Sequence, residues 1–129
     1  MDKEIKQKAY ETGLKAESLA VEYLTAQGYA IREKRWKPGG VKGEIDIIAQ
    51  KDNVMVFVEV KARAEGIEEA LEAVDRKKRR NMALGADKYL QMQPQWFEYR
   101  FDIIAVDPTQ DPPTLEHIPD AFESPLFTK

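Results

Sequence analysis

Apolar residues recur along the start of the chain with a helical rhythm. At about 100° per residue, Ile5, Ala9, Gly13, Ala16, Ala20, Tyr23 and Leu24 share one stripe, while Glu4, Lys8, Glu11, Lys15 and Glu22 lie opposite. The pattern predicts a helix over residues 3–27, stopped by Gly28. Glu17 breaks it, at the edge of the apolar stripe beside Gly13, Ala20 and Leu24. Residues 29–36, YAIREKRW, alternate in part and predict a strand, followed by a turn over 37–42 that contains PGG. Two further strands are expected over 43–50 and 54–62, and a second helix over 67–92, ended before Pro94. The apolar line of that helix is Ile67, Leu71, Val74, Met82, Gly85 and Tyr89, with Lys78 on the missing rung. YRFDIIAV, residues 99–106, is another strand. The order helix, three strands, helix, strand predicts a mixed α/β domain over residues 1–107. Residues 108–129 hold five of the seven prolines and are expected to form an extended, acidic, proline-rich tail.

The two central strands contain four charges, Glu44, Asp46, Glu59 and Lys61. A two-residue turn at Asp52-Asn53, both tolerant of positive φ, would pair Lys51 with Val54. Reading outward, Ala49 meets Val56, Ile47 meets Val58 and Ile45 meets Val60 on one apolar face. On the other face Ile48 meets Phe57, Asp46 meets Glu59 and Glu44 meets Lys61. A three-residue turn would send Asp46 and Glu59 to opposite faces unless a bulge intervened. Asp46 opposed to Glu59 is a repulsive pair. A raised pKa, a nearby base or a bound cation would relieve it.

Two carboxylates with Cβ atoms about 5 Å apart suit a hard divalent ion, Mg²⁺ or Mn²⁺. Lys61, two residues beyond Glu59, projects from the same face. There it can orient an attacking water or stabilise developing negative charge. Glu17, on a helix packed against that face, can add a ligand directly or through water. Lys78 can meet a scissile phosphate. The alternative is a satisfied internal ion-pair network in which Lys61 bridges Glu44 and Glu59.

Composition narrows the classes. The 129 residues are 43% hydrophobic and 33% charged, with a net charge of -3, as in an ordinary soluble domain. There is no cysteine, which excludes disulfides, thiolate metal sites and cysteine nucleophiles and agrees with a cytoplasmic setting. No apolar run reaches membrane-spanning length, and MDKEIKQK lacks the apolar core of a signal peptide. The acidic total hides basic clusters in IREKRWKPGGVK, with Arg35, Lys37 and Lys42, and in DRKKRR, where Arg76, Lys77, Arg79 and Arg80 flank Lys78. A local patch sets the field that phosphates feel. The other reading of each cluster is a solvated surface. His117, the only histidine, is expected to be solvated or packed, so a histidine-based triad is excluded.

The acid followed by Glu-x-Lys, Asp46 and Glu59-Val60-Lys61, resembles the PD-(D/E)xK nuclease pattern. GLKAESLAVEYLTAQGY, GEIDIIA, VFVEVKAR, EALEAVDRKKRR, ADKYL and RFDIIAV, collinear over residues 10–106, resemble the YraN-like family of small bacterial proteins. That resemblance implies a restriction-endonuclease-like three-layer fold, a central mixed sheet flanked by helices, similar to archaeal Holliday-junction resolvases. It implies that Asp46, Glu59 and the Val60 carbonyl ligate the metal and that Lys61 is the catalytic lysine. Glu17 matches the first-helix acid of related resolvases, and Lys78 matches a lysine on the second helix. Arg100 and Asp102 fall on a family strand as a structural or functional pair. Relative to the family's usual connection, KRWKPGGVKGEID is longer and more basic.

Three readings follow. The first is a Mg²⁺-dependent endonuclease hydrolysing DNA phosphodiesters, with branched or structured DNA as the substrate class and a homodimer as the form suited to a symmetric junction. The second is a non-catalytic nucleic-acid-binding module on the same fold. The third is a structural or interaction protein whose four charges form a buried network. None involves a membrane.

Overall fold

The computed structural model describes residues 2–40, 42–63 and 67–127. The chain runs α1 (Asp2–Ala26), β1 (Ala30–Trp36), β2 (Ile45–Lys51), β3 (Val54–Ala62), α2 (Ile67–Ala73), α3 (Arg76–Gln91), β4 (Glu98–Asp107) and β5 (Thr114–Phe122), then a 3-10 turn, Pro125–Phe127. The five strands lie in the order β1-β2-β3-β4-β5. Among the described residues only β3 and β4 pair in parallel, and α2 and α3 lie in the crossover between them. Helix α1 covers one face through Ala16, Ala20 and Leu24, packed on Ile47, Ala49, Val56, Val58, Ile104 and Val106. Helices α2 and α3 cover the other, where Val74, Met82 and Tyr89 meet Ile48, Phe57, Phe101 and Ile103. This is the expected three-layer α/β arrangement. No helix among the described residues is long and apolar enough to cross a membrane.

The β2–β3 hairpin turns at Asp52-Asn53 as expected, with Asp52 at φ 54°. Lys51 pairs with Val54, Ala49 with Val56, and Ile47 with Val58. Beyond that row the expected register fails. The ladder ends at Ile47–Val58, so neither Asp46–Glu59 nor Glu44–Lys61 is a cross-strand pair, and Glu44 is exposed outside the strand. Ile45 packs on the α3 face, whereas Ile47 packs on the α1 face. The alternation turns over at Asp46. The neighbouring strand turns over at the same level: Lys34 pairs with Ile47 and Trp36 with Ile45, and between them Arg35 holds φ at 47°. That left-handed conformation is uncommon for a non-glycine residue and stores strain.

Three other expectations are corrected. The apolar stripe of α1 is buried only from Ala16 onward, and Ile5 and Tyr10 are exposed. A 25-residue helix is about 37 Å long, whereas a seven-residue strand spans about 23 Å, so the sheet underlies only part of it. The second helix is two helices, because Asp75 caps α3 by accepting from the Lys78 N–H at 2.9 Å. The segment expected as a tail supplies β5, which pairs with β4 from Asp107–Thr114 to Phe101–Phe122. An edge strand tolerates Pro119 because one side of its backbone needs no partner.

Candidate active site

The overturned row of β1 and β2 brings the acids together in a way that simple pairing would not. Released from the ladder, Asp46 turns its carboxylate to β3, where Oδ2 accepts from the Val60 N–H at 2.9 Å. The side chain thus takes the place of a backbone acceptor where the strands part. Glu59 and Lys61 follow Phe57 on the face covered by α3. Glu59 is only 3% exposed.

Glu59 is the electrostatic centre of the site. Its Oε2 lies 3.3 Å from Lys61 Nζ and 3.4 Å from Lys78 Nζ. Lys78 therefore fills the missing rung of α3 by reaching down to the sheet. The other oxygen, Oε1, is buried and has no hydrogen-bond partner among the described residues. Burial and the neighbouring Asp46 carboxylate push the Glu59 pKa from 4.5 to about 7, against the opposing pull of Lys78 and Lys61. With both acids ionised nothing donates to Oε1; a proton on either acid would let the two share a hydrogen bond. Two lysines thus balance the Glu59 charge through Oε2 and leave the buried Oε1 without a hydrogen-bond donor among the described residues.

Glu17 joins from α1. Burial, then repulsion from Asp46, raises its pKa, and Arg35 and Lys34 oppose the rise. Its Oε1 is 3.5 Å from Arg35 Nη1, so its nearest charge partner is this guanidinium. Asp46 is thereby the middle member of a row, pressing on Glu59 toward α3 and on Glu17 toward α1. Among the described residues no three His, Asp or Glu side chains are gathered to hold a metal ion. The fit to a divalent cation rests on the Asp46–Glu59 pair. Its oxygen donors are hard, and the Glu59 oxygen without a donor is open to a proton or to a cation.

The basic residues divide into groups. Lys37, Lys42 and Lys78 line one cavity of about 320 Å³ between the β1–β2 connection and α3. Lys34 and Arg35 line another of about 330 Å³ against α1, with Glu17 and Ser18. Arg76, Arg79 and Arg80 line a separate groove of about 840 Å³ with Glu72, Asp75 and Glu123. Arg79 is already engaged there: its Nε donates to the Val74 carbonyl at 2.9 Å, and its guanidinium lies 5.1 Å from the Phe122 ring centroid. Lys77 is exposed.

A polar cluster on the α1 face extends the expected Arg100–Asp102 pair to partners that the sequence did not point to, His117, Tyr23 and the Asp120 backbone. Asp102, fully buried, accepts from Arg100 Nε at 3.0 Å and from the Asp120 N–H at 3.0 Å, and lies 2.7 Å from His117 Nε2. Tyr23 Oη lies 2.9 Å from His117 Nδ1, and Arg100 also donates to the Tyr29 hydroxyl. Arg100 and Asp102 form an ion pair, and His117 is packed, tying β5 to α1. A buried aspartate on an apolar strand was the available signal, since it requires partners.

The chain matches the family described as "Uncharacterised protein family UPF0102" over residues 16–106. It is 40% identical over 118 residues to a UPF0102 protein of Rhodopseudomonas palustris, covering 90% of this chain and 88% of that one. A UPF0102 protein of Bacteroides thetaiotaomicron is 39% identical, with 91% and 96% covered. One from Bartonella tribocorum is 40% identical over 124 residues, with 95% and 91% covered. The expectation of a YraN-like relative holds at the level of the family.

Proposed function

The chain belongs to the UPF0102 family, and we propose that it is a cytoplasmic Mg²⁺- or Mn²⁺-dependent endonuclease with a restriction-endonuclease-like fold. Its substrate class is DNA, with branched or structured DNA favoured. The observation that carries this reading is the buried Glu59 carboxylate, whose Oε1 has no hydrogen-bond partner among the described residues while burial, and then Asp46, push its pKa up to about 7. Asp46, Glu59 and the Val60 carbonyl would hold the ion, with Glu17 reaching it through water once Arg35 releases it. When bound, the ion lowers the pKa of a coordinated water and polarises a phosphoryl oxygen. Lys61, beside Glu59, orients the attacking water and stabilises the charge that develops as the oxygen–phosphorus bond forms and the ester oxygen leaves. Lys78 faces the phosphate from α3.

The second reading is a nucleic-acid-binding module without catalysis. It is favoured by the two lysines already engaged on Glu59 Oε2. Cleavage separates the two. Linear, flapped and four-way DNA are incubated with the parent, Asp46→Ala and Lys61→Ala, with Mg²⁺ and with EDTA. Hydrolysis predicts products from the parent with Mg²⁺ only, and retained DNA binding by both variants. Equal products from parent and variants refute it.

A further inference from the structure

The cavity of about 320 Å³ beside the acid pair is basic in a built way. Lys37 and Lys42 reach it from the β1–β2 connection, Lys78 and Asn81 from α3, and Glu44 is the one acid in its described lining. Lys37 and Lys42 make no ion pair among the described residues. The connection is held against the helix by two glycines. A Cβ on Gly43 would stand 2.7 Å from the Asn81 carbonyl oxygen and 2.8 Å from the Gly85 nitrogen. A Cβ on Gly85 would stand 2.1 Å from the Gly43 carbonyl oxygen. Backbone meets backbone there, so the end of the connection is seated on α3 and Lys42 with it. Pro38, next to Lys37, is buried and lines the same cavity. Lys78 links the cavity to the acids, since its ammonium is 3.4 Å from Glu59 Oε2.

We propose that this cavity is a phosphate subsite, and that its occupant is a backbone phosphate of nucleic acid lying next to the acid pair. The inference rests on the endonuclease reading for that assignment and adds to it where the strand is gripped. Two unpaired ammonium groups from one element face a third from another across a concave site, an arrangement that favours an oxyanion. Asn81 supplies an amide able to donate to a phosphate oxygen. Glu44, exposed in the same lining, opposes binding of an anion, so the site depends on all three lysines.

The test needs no catalysis. In EDTA, binding of a fluorescent duplex oligonucleotide is measured against salt for the parent, Lys37→Ala/Lys42→Ala and Lys3→Ala/Lys8→Ala. The last pair removes the same charge from the exposed start of α1. Melting temperature with added inorganic phosphate is read in parallel. The proposal expects Lys37→Ala/Lys42→Ala to weaken oligonucleotide binding about tenfold or more and to lower the salt slope by about 1 to 2. The α1 pair should change the affinity less than twofold, roughly the effect of distant screened charges. Equal affinity and slope in the parent and the Lys37→Ala/Lys42→Ala protein overturn the proposal, as does a parent that binds no oligonucleotide. A loop-dependent rise in melting temperature with inorganic phosphate, without loop-dependent oligonucleotide binding, overturns the backbone assignment in favour of a small phosphate. Loop-dependent binding by a parent that never cleaves DNA with Mg²⁺ removes the hydrolytic reading and leaves the subsite standing.

Discussion

Replacing Glu59 by glutamine should change how stability depends on pH. In the folded protein burial and Asp46 raise the Glu59 pKa from 4.5 to about 7. A carboxyl group whose folded pKa exceeds its unfolded value holds its proton more tightly when folded. It therefore costs nothing below pH 4.5, destabilises progressively as pH rises from 4.5 toward 7, and carries its full penalty above that. At about 1.36 kcal/mol per pH unit, the penalty is about 3 kcal/mol. The side chain is 3% exposed, so solvent screening does not reduce it much. Glu59→Gln removes this titration. It also strips Lys61 and Lys78 of their partner, but both are partly exposed, at 22% and 33%, and can turn toward water. That loss adds an offset without the same slope. Circular-dichroism melts in EDTA, from about pH 4 to about pH 9, should show the parent losing about 3 kcal/mol relative to Glu59→Gln. For a domain of this size the loss is about 10 °C in melting temperature. Parallel curves for the two proteins, or a parent that gains relative stability as pH rises, would refute the electrostatic account of Glu59.

Gly85→Ala should destabilise the fold by about 3 kcal/mol, because its Cβ meets backbone rather than a flexible side chain; denaturant unfolding checks this, and a change near zero would show that the connection can shift away. Asp102→Asn should cost roughly 3 kcal/mol at neutral pH by breaking the buried pair with Arg100. Burial alone would raise the Asp102 pKa, but hydrogen bonds from His117, Arg100 and the Asp120 N–H bring it below 3.8. Its contribution is therefore present above pH 3.8 and lost as pH falls through the lower folded value. Acid titration of the parent should show that loss, and Asp102→Asn should lack it.

The course of the central hairpin was legible because turn chemistry and strict alternation agree over Ile47–Val58. The convergence of Asp46, Glu59, Lys61 and Lys78 was legible too, as charges interrupting apolar lines. The geometry of the convergence was not. Arg35 in a left-handed conformation turns the strand over, and nothing in an arginine codon position signals φ of 47°. Asp46 consequently reaches Glu59 from the end of the ladder rather than from a facing position. The break before α3 was masked by an apolar line that runs on through it, although Asp75 three residues before Lys78 has the spacing of a cap. Strand β5 was hidden by its prolines, and its alternation Leu115, His117 makes sense only once Asp102 is known to need a partner. The contact of Gly43 with Gly85 joins positions far apart in the chain and is visible only in three dimensions.

The central claim is that Asp46 and Glu59 form a divalent-cation site. Titration calorimetry with Mn²⁺, paired with melting curves in the same buffer, tests it directly in the parent and in Asp46→Ala. The account predicts saturable binding and a raised melting temperature in the parent, with both lost in Asp46→Ala. Equal binding by the two proteins, or no binding by the parent, would contradict it.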